Sequence, residues 1–222
     1  MDKDMFIYWS GGKDSAMALH KVSTSQRYRE YRITGLLTTL TEGYDRISGH
    51  GVRRSLLEYQ AACLGLNLHK TYIPKGATMG EYESVIEEAL LKHKEEGASV
   101  AATGDIFVEK RRMATFKKTG VNGCFPLMLN NSYEHVTRLI DLGFKAYVVC
   151  VDSAVLDHSF AGRILDRDFL DELPTGVDPC GENGEFHTFV FDGPIFRERV
   201  KCKLGKVVLR ESFYFCDVLP DN

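Results

Sequence analysis

The residues best suited to chemistry stand near the amino terminus, in the string Ser10-Gly11-Gly12-Lys13-Asp14-Ser15. Two consecutive glycines let backbone N–H groups approach an anion with no Cβ in the way. Lys13 adds a mobile cation, and Ser10 and Ser15 add hydroxyl donors. Asp14 is a carboxylate able to hold a magnesium ion that bridges phosphates. This set suits the handling of a polyphosphate. The phosphate loop with G-x-x-x-x-G-K-[ST] spacing is absent from the chain.

A second chemical set lies far downstream, in Asp178-Pro179-Cys180-Gly181-Glu182-Asn183-Gly184-Glu185-Phe186-His187-Thr188. Its glycines allow a tight loop, so Glu182, Glu185 and His187 are expected to converge just ahead of an alternating strand. Period two puts Glu185 and His187 on one face. Such a group can orient ammonia, take up a proton or complete a magnesium site; a turn with solvated glutamates is the plainer alternative. Zinc has no nearby second histidine or cysteine at standard ligand spacing.

These residues need elements to position them. Met5 to Trp9 is a short apolar run that reads as a buried strand, and a helix follows from about Asp14 to Val22. A glycine turn between strand and helix leaves helix amino-terminal N–H groups open, with the dipole adding partial positive charge. Ile33 to Leu40 reads as a second strand, Ser55 to Leu64 as a helix closed by Gly65, and Leu66 to Pro74 as an outer strand. Thr78-x-x-Glu81 is a capping box. The helix behind it carries Tyr82, Val85, Ile86, Ala89, Leu90 and His93 at core spacing.

Ala98 to Thr103 is a further buried strand, with Gly104-Asp105 directly after it. A carboxylate at the carboxyl end of a parallel strand points into the ligand crevice, although an Asp-led turn reads the same way. The basic stretch from Glu109 to Lys118 reads mainly as a solvated helix face, with Arg112 the member to test. His50, Arg53 and Arg54 are further groups able to face phosphates. Strands alternating with helices signal a parallel sheet with right-handed crossovers. A soft boundary falls near Asn130. Beyond it come a helix over 133–142, a strand over 146–152, and a hairpin from Val200 to Arg210 that turns at Leu204-Gly205-Lys206.

Composition limits the function classes. The 222-residue chain carries a net charge of −3, which provides no footprint for non-specific nucleic-acid binding. No run of eighteen apolar residues exists, and a start of Met1-Asp2-Lys3-Asp4 is not the pattern expected of a signal peptide. Its six cysteines are scattered with no C-x-x-C pair, which suits reduced thiols in a cytoplasmic protein.

The string Ser-Gly-Gly-Lys-Asp-Ser resembles the PP-loop of the ATP-pyrophosphatases, which cleave ATP between its α and β phosphates. Together with the Gly181-Glu182-Asn183-Gly184-Glu185-Phe186-His187-Thr188 loop, it resembles the diphthine–ammonia ligase family over almost the whole chain. The resemblance implies an α/β fold: a HUP-like parallel sheet flanked by helices over residues 1–130, and a smaller α+β domain over 131–222 that binds substrate. It implies ATP and Mg²⁺ as cofactors, with Ser10, Gly11, Gly12, Lys13, Asp14, Ser15, Thr38, Thr39, Gly104 and Asp105 at the nucleotide. Asp14 and Asp105 would be its metal ligands, and Lys13, Asp14, Glu182, Glu185 and His187 its catalytic set. The implied reaction adenylates a substrate carboxylate for attack by ammonia, on a modified elongation factor or a corrinoid acid. One departure bears on the acceptor. Diphthamide enzymes tend to carry Glu-Gly-Gly-Glu-x-Glu in this loop, and Glu182-Asn183-Gly184-Glu185-Phe186-His187 looks like the cobalamin-linked branch. A non-catalytic ATP-binding regulator is the alternative from another class. Neither a membrane nor a nucleic-acid partner is expected, and a homodimer is compatible with the pattern.

Overall fold

A computed structural model describes residues 3–47, 50–107, 110–128 and 131–221. The expected boundary at Asn130 and the start of the basic stretch at Glu109 lie outside the described residues. Contacts divide the chain into two compact units. The first comprises Met1–Ser10, Asp14–Ser48 and Leu66–Met128; the second comprises Gly11–Lys13, Gly49–Gly65 and Leu129–Asn222.

The first unit is built on five parallel strands, β1 (Lys3–Tyr8), β2 (Tyr31–Thr41), β3 (Leu68–Ile73), β4 (Ala98–Ala102) and β5 (Asn122–Cys124), in the order β3-β2-β1-β4-β5. Met5, Phe6 and Ile7 are buried in succession, as a strand covered on both faces requires. The helices are α1 (Lys13–Thr24), which opens on the glycine loop, α3 (Met79–Glu95) and α4 (Lys110–Thr119); α2 (Arg54–Leu64) falls in the second unit. Phe6, Leu37 and Ala101 of the sheet pack with Ile86 and Leu90 of α3 and Phe116 of α4 in one apolar cluster. The strand order reverses between β1 and β4, so their carboxyl ends flank the crevice where open α/β sheets bind ligands. Ser10 and Gly104 follow those two ends. This is the parallel sheet flanked by helices that the alternation of strands and helices predicts.

The second unit carries a separate antiparallel sheet of β6 (Lys145–Asp152), β7 (Phe186–Asp192), β8 (Cys202–Arg210) and β9 (Phe213–Pro220), in the order β7-β6-β9-β8. Helices α2, α5 (Ser132–Asp141) and the short α6 (Arg167–Asp171) complete it. The expected hairpin is displaced. Leu204-Gly205-Lys206 does not turn the chain but absorbs a register shift within β8, and the reversal comes at Glu211-Ser212, where Glu211 has φ 55°. A bulge at a glycine lets the strand run on, and Phe213 then pairs back with Arg210.

Candidate functional site

The glycine loop is tied down within the second unit. The Gly11 carbonyl accepts from the Gln60 side-chain amide (3.1 Å) and from the Val190 amide (2.9 Å). The same Gln60 nitrogen donates to the Val190 carbonyl at 2.6 Å, so one fully buried glutamine clips the loop to β7. Gly11 takes φ +75°, and a Cβ there would lie 2.8 Å from both Gln60 Oε1 and Leu57 Cδ2. Only glycine meets both demands.

Lys13 is 5% exposed. Its amide donates to Thr188 Oγ1 (3.0 Å), its Nζ lies 4.0 Å from Glu182 Oε1, and that nitrogen stands 5.9 Å from the centre of the Phe186 ring. One helix amino-terminal amide that the sequence leaves open to an anion is therefore occupied by a protein hydroxyl. Within the first unit, Ser10 and Ser15 bring their hydroxyls to 3.3 Å. Gly104 lies directly against the start of α1. A Cβ on it would stand 2.7 Å from the Asp14 carbonyl carbon and 2.8 Å from the Ser15 nitrogen.

The downstream acidic loop divides its three candidates. Glu182 approaches Lys13. The Glu185 carboxylate accepts from the backbone amides of Asp178 (3.0 Å) and Asn183 (2.9 Å) and from the Asn183 side chain (2.8 Å). Burial alone would push its carboxyl up, yet these donors together hold it below the ordinary carboxylate range. His187 stacks on His50 with ring centres 4.3 Å apart. Phe186 and Thr188 both meet Lys13, so alternation along β7 puts His187 on the opposite face of that strand. The expected convergence thus resolves into three separate contacts. Arg53 pairs with Asp217 through two bonds of 3.1 and 2.5 Å, and Arg54 meets Glu58 at 3.4 Å.

In the first unit, Thr38 is buried, and its hydroxyl finds no hydrogen-bond partner among the described residues. The hydroxyl of Thr103, just after β4, is equally orphaned, while Thr39 is half-buried. Leaving a buried polar group unpaired costs about 1–3 kcal/mol, so two such hydroxyls at the carboxyl ends of β2 and β4 suit a ligand that would pair them. Asp105 forms an ion pair with Arg112, whose guanidinium lies 5.3 Å from the centre of the Tyr8 ring. Tyr8, Tyr82, Ile86, Arg111, Arg112 and Phe116 line a solvent-open cleft of about 90 Å³.

Comparison with known proteins identifies the family. Residues 3–120 match the family model of the diphthamide synthase N-terminal domain, and residues 131–219 match that of its C-terminal domain. The chain belongs to the diphthamide synthase family. Human diphthine–ammonia ligase is 27% identical over 186 residues, covering 80% of this chain and 70% of its own. The Schizosaccharomyces pombe protein of the same name is 25% identical over 232 residues, covering 93% of this chain and 37% of its own. A solved structure described as a predicted subunit of tRNA methyltransferase from Methanocaldococcus jannaschii superimposes with a TM-score of 0.45 at 19% identity, covering 66% of this chain and 80% of that one.

The groups that such a family would require can be set against the chain. The glycine turn of the second unit and, within the first unit, the orphaned threonine hydroxyls are each of a kind that a nucleotide pairs with. Asp14, half-buried in the first turn of α1, offers a carboxylate oxygen of the kind magnesium takes, and Asp105 pairs with Arg112. Gln60 and Thr188 bond to the glycine loop, and the motif reading misses that role for both. A signal for Gln60 was present: it is a polar residue set into the apolar stripe of Leu57, Ala61 and Leu64. Thr188 offers no comparable local signal.

Proposed function

We propose that this chain is an ATP-dependent amide ligase that activates a carboxylate as its adenylate and passes the acyl group to ammonia. The observation that carries the reading is the glycine loop itself, clipped at Gly11 by Gln60 and β7, with buried Lys13 beside it. Family membership and relatives named diphthine–ammonia ligase support the same reaction class and suggest a diphthine-bearing protein as acceptor.

In this reading a carboxylate oxygen of the acceptor attacks the α-phosphorus, and pyrophosphate leaves. Ammonia then attacks the acyl carbon, AMP departs, and the nitrogen gives up a proton as the amide forms. A rigid, largely buried ammonium at position 13 stabilises charge developing on pyrophosphate better than a solvated one, because it needs no reorganisation. Asp14 would hold magnesium, which when bound neutralises polyphosphate charge. Thr38 would pair its hydroxyl with the nucleotide, and Gly104 keeps the start of α1 in register. Asp105 orients Arg112. Glu182 shapes the surroundings of Lys13. Glu185 acts as a positioning residue, because its oxygens already hold the loop. His187, with His50 on the far face of β7, is assigned no step at the phosphates.

Sulfur-transfer rivals that share the PP-loop need an activated thiolate. Here burial pushes Cys150 up to about 12 and Cys202 up to about 11, and it raises Cys63, Cys124 and Cys216 as well. Lys13→Ala tests the proposal. Turnover should fall about 10²–10³-fold, the usual cost of removing one pre-organised charge-stabilising donor, with the far-UV circular dichroism of the native chain retained. Unchanged turnover would remove the loop from the mechanism.

A further inference from the structure

Away from the glycine loop, the first unit gathers two imidazoles and a carboxylate at one corner. His69 lies in edge strand β3, opposite Leu37 of β2, and directly paired residues share a sheet face. Leu37 packs against Ile86 and Leu90 of α3, so His69 faces that helix as well. His93 occupies the last turn of α3, buried to 6% exposure. The two rings meet edge-on with centres 4.5 Å apart, and Phe6 backs His93 at 5.0 Å. Glu96, the residue that caps α3, brings Oε2 to 3.2 Å from His93 Nδ1.

We propose that His69, His93 and Glu96 form a binding site for a borderline divalent transition-metal ion, zinc foremost. One ring nitrogen from each histidine and one Glu96 oxygen all lie within 4.8 Å of one another. Tetrahedral zinc, with ligands at about 2.0–2.2 Å, wants donor–donor separations of about 3.4 Å. Side-chain rotation of the two outer residues closes that gap, since Glu96 is exposed and His69 half-exposed. Two imidazoles and one carboxylate select a borderline ion over magnesium or calcium, which prefer all-oxygen sites. Three protein ligands leave the fourth position to water.

Two further features favour this corner. Gly35 of β2 carries no side chain where a Cβ would fall 2.9 Å from His69 Nε2, so the strand leaves room for that ring. The carboxyl end of α3 presents its carbonyls and the negative end of its dipole nearby, which favours a cation. Of the lysines in that turn, Lys94 is drawn off to the Thr119 carbonyl at 3.0 Å. The bound ion would join the edge strand to the last turn of α3, a cross-link made only in the folded state.

The test uses the full chain, stripped with chelator and held in excess magnesium so that magnesium sites are filled. Zn²⁺ is titrated against a chromophoric competitor, and Co²⁺ is followed by absorbance. The expected result is one equivalent of metal, with weak visible bands for cobalt and no intense near-ultraviolet thiolate band. His69→Ala and Glu96→Gln should each weaken binding at least tenfold while leaving the metal-free thermal midpoint within a few degrees of the parent. Absence of stoichiometric binding would overturn the proposal. So would a thiolate band, which would place the metal on cysteine, or binding that both variants leave unchanged.

Discussion

Replacing Gln60 by methionine keeps the volume of a fully buried side chain and removes the hydrogen bonds it donates to the Gly11 and Val190 carbonyls. The Gly11 carbonyl would keep its bond from the Val190 amide. The Val190 carbonyl would lose the shorter of the two contacts, 2.6 Å, within a buried strand. Each lost bond is worth about 0.5–1 kcal/mol net, and a buried carbonyl deprived of its donor adds about 1–2 more. Gln60→Met should therefore cost about 2–4 kcal/mol in urea unfolding. Because the loss falls on the loop, the KM for ATP should rise as well, by about tenfold if half of the cost is felt in the bound state. The assays are equilibrium denaturation and initial rates of AMP release over a range of ATP. A stability change below about 0.5 kcal/mol with unchanged KM would refute the claim that Gln60 holds the loop.

Other consequences follow from the same contacts. Gly104→Ala would set a Cβ 2.7 Å from backbone at Asp14, which cannot yield as a side chain can. ATP affinity measured by calorimetry should drop at least about tenfold (~1.4 kcal/mol), and parent-like affinity would show that this approach is not needed. For Glu185 the sign is set by a carboxyl held below the ordinary glutamate value of 4.5, so its stabilising contribution is present above that pH and is lost as pH falls below it. Glu185→Gln should flatten the acid limb of the thermal-midpoint profile below pH 4.5; an unchanged limb would contradict the bonding described. Arg112→Ala, which removes the ion pair with Asp105, should impair turnover more than stability, read from kcat against the urea midpoint.

What the sequence made legible is local. The strand–glycine–helix order around Ser10–Ser15 is visible because each signal lies within a few residues of the next. The Thr78–Glu81 capping box is present in both directions, with Thr78 accepting from the Glu81 amide at 3.3 Å and Glu81 accepting from the Thr78 amide at 2.7 Å. The clip on the loop was not legible. Lys13 and Thr188 are 175 residues apart and Gln60 and Val190 are 130 apart, distances at which no spacing rule operates. Leu204-Gly205-Lys206 carries turn chemistry, but cross-strand pairing with β9 continues through it. Glu185 precedes β7 instead of lying within it, so strand alternation does not govern where its carboxylate goes; Asn183, two residues back, does.

The central claim is adenylation followed by capture with ammonia, and product analysis of ATP turnover tests it most directly. Purified chain is supplied with magnesium, ammonium and a panel of acceptors that includes a diphthine-bearing elongation factor and corrinoid acids. The account predicts AMP and pyrophosphate in equal amounts, formed only with an acceptor that gains an amide. Release of ADP and phosphate would contradict it.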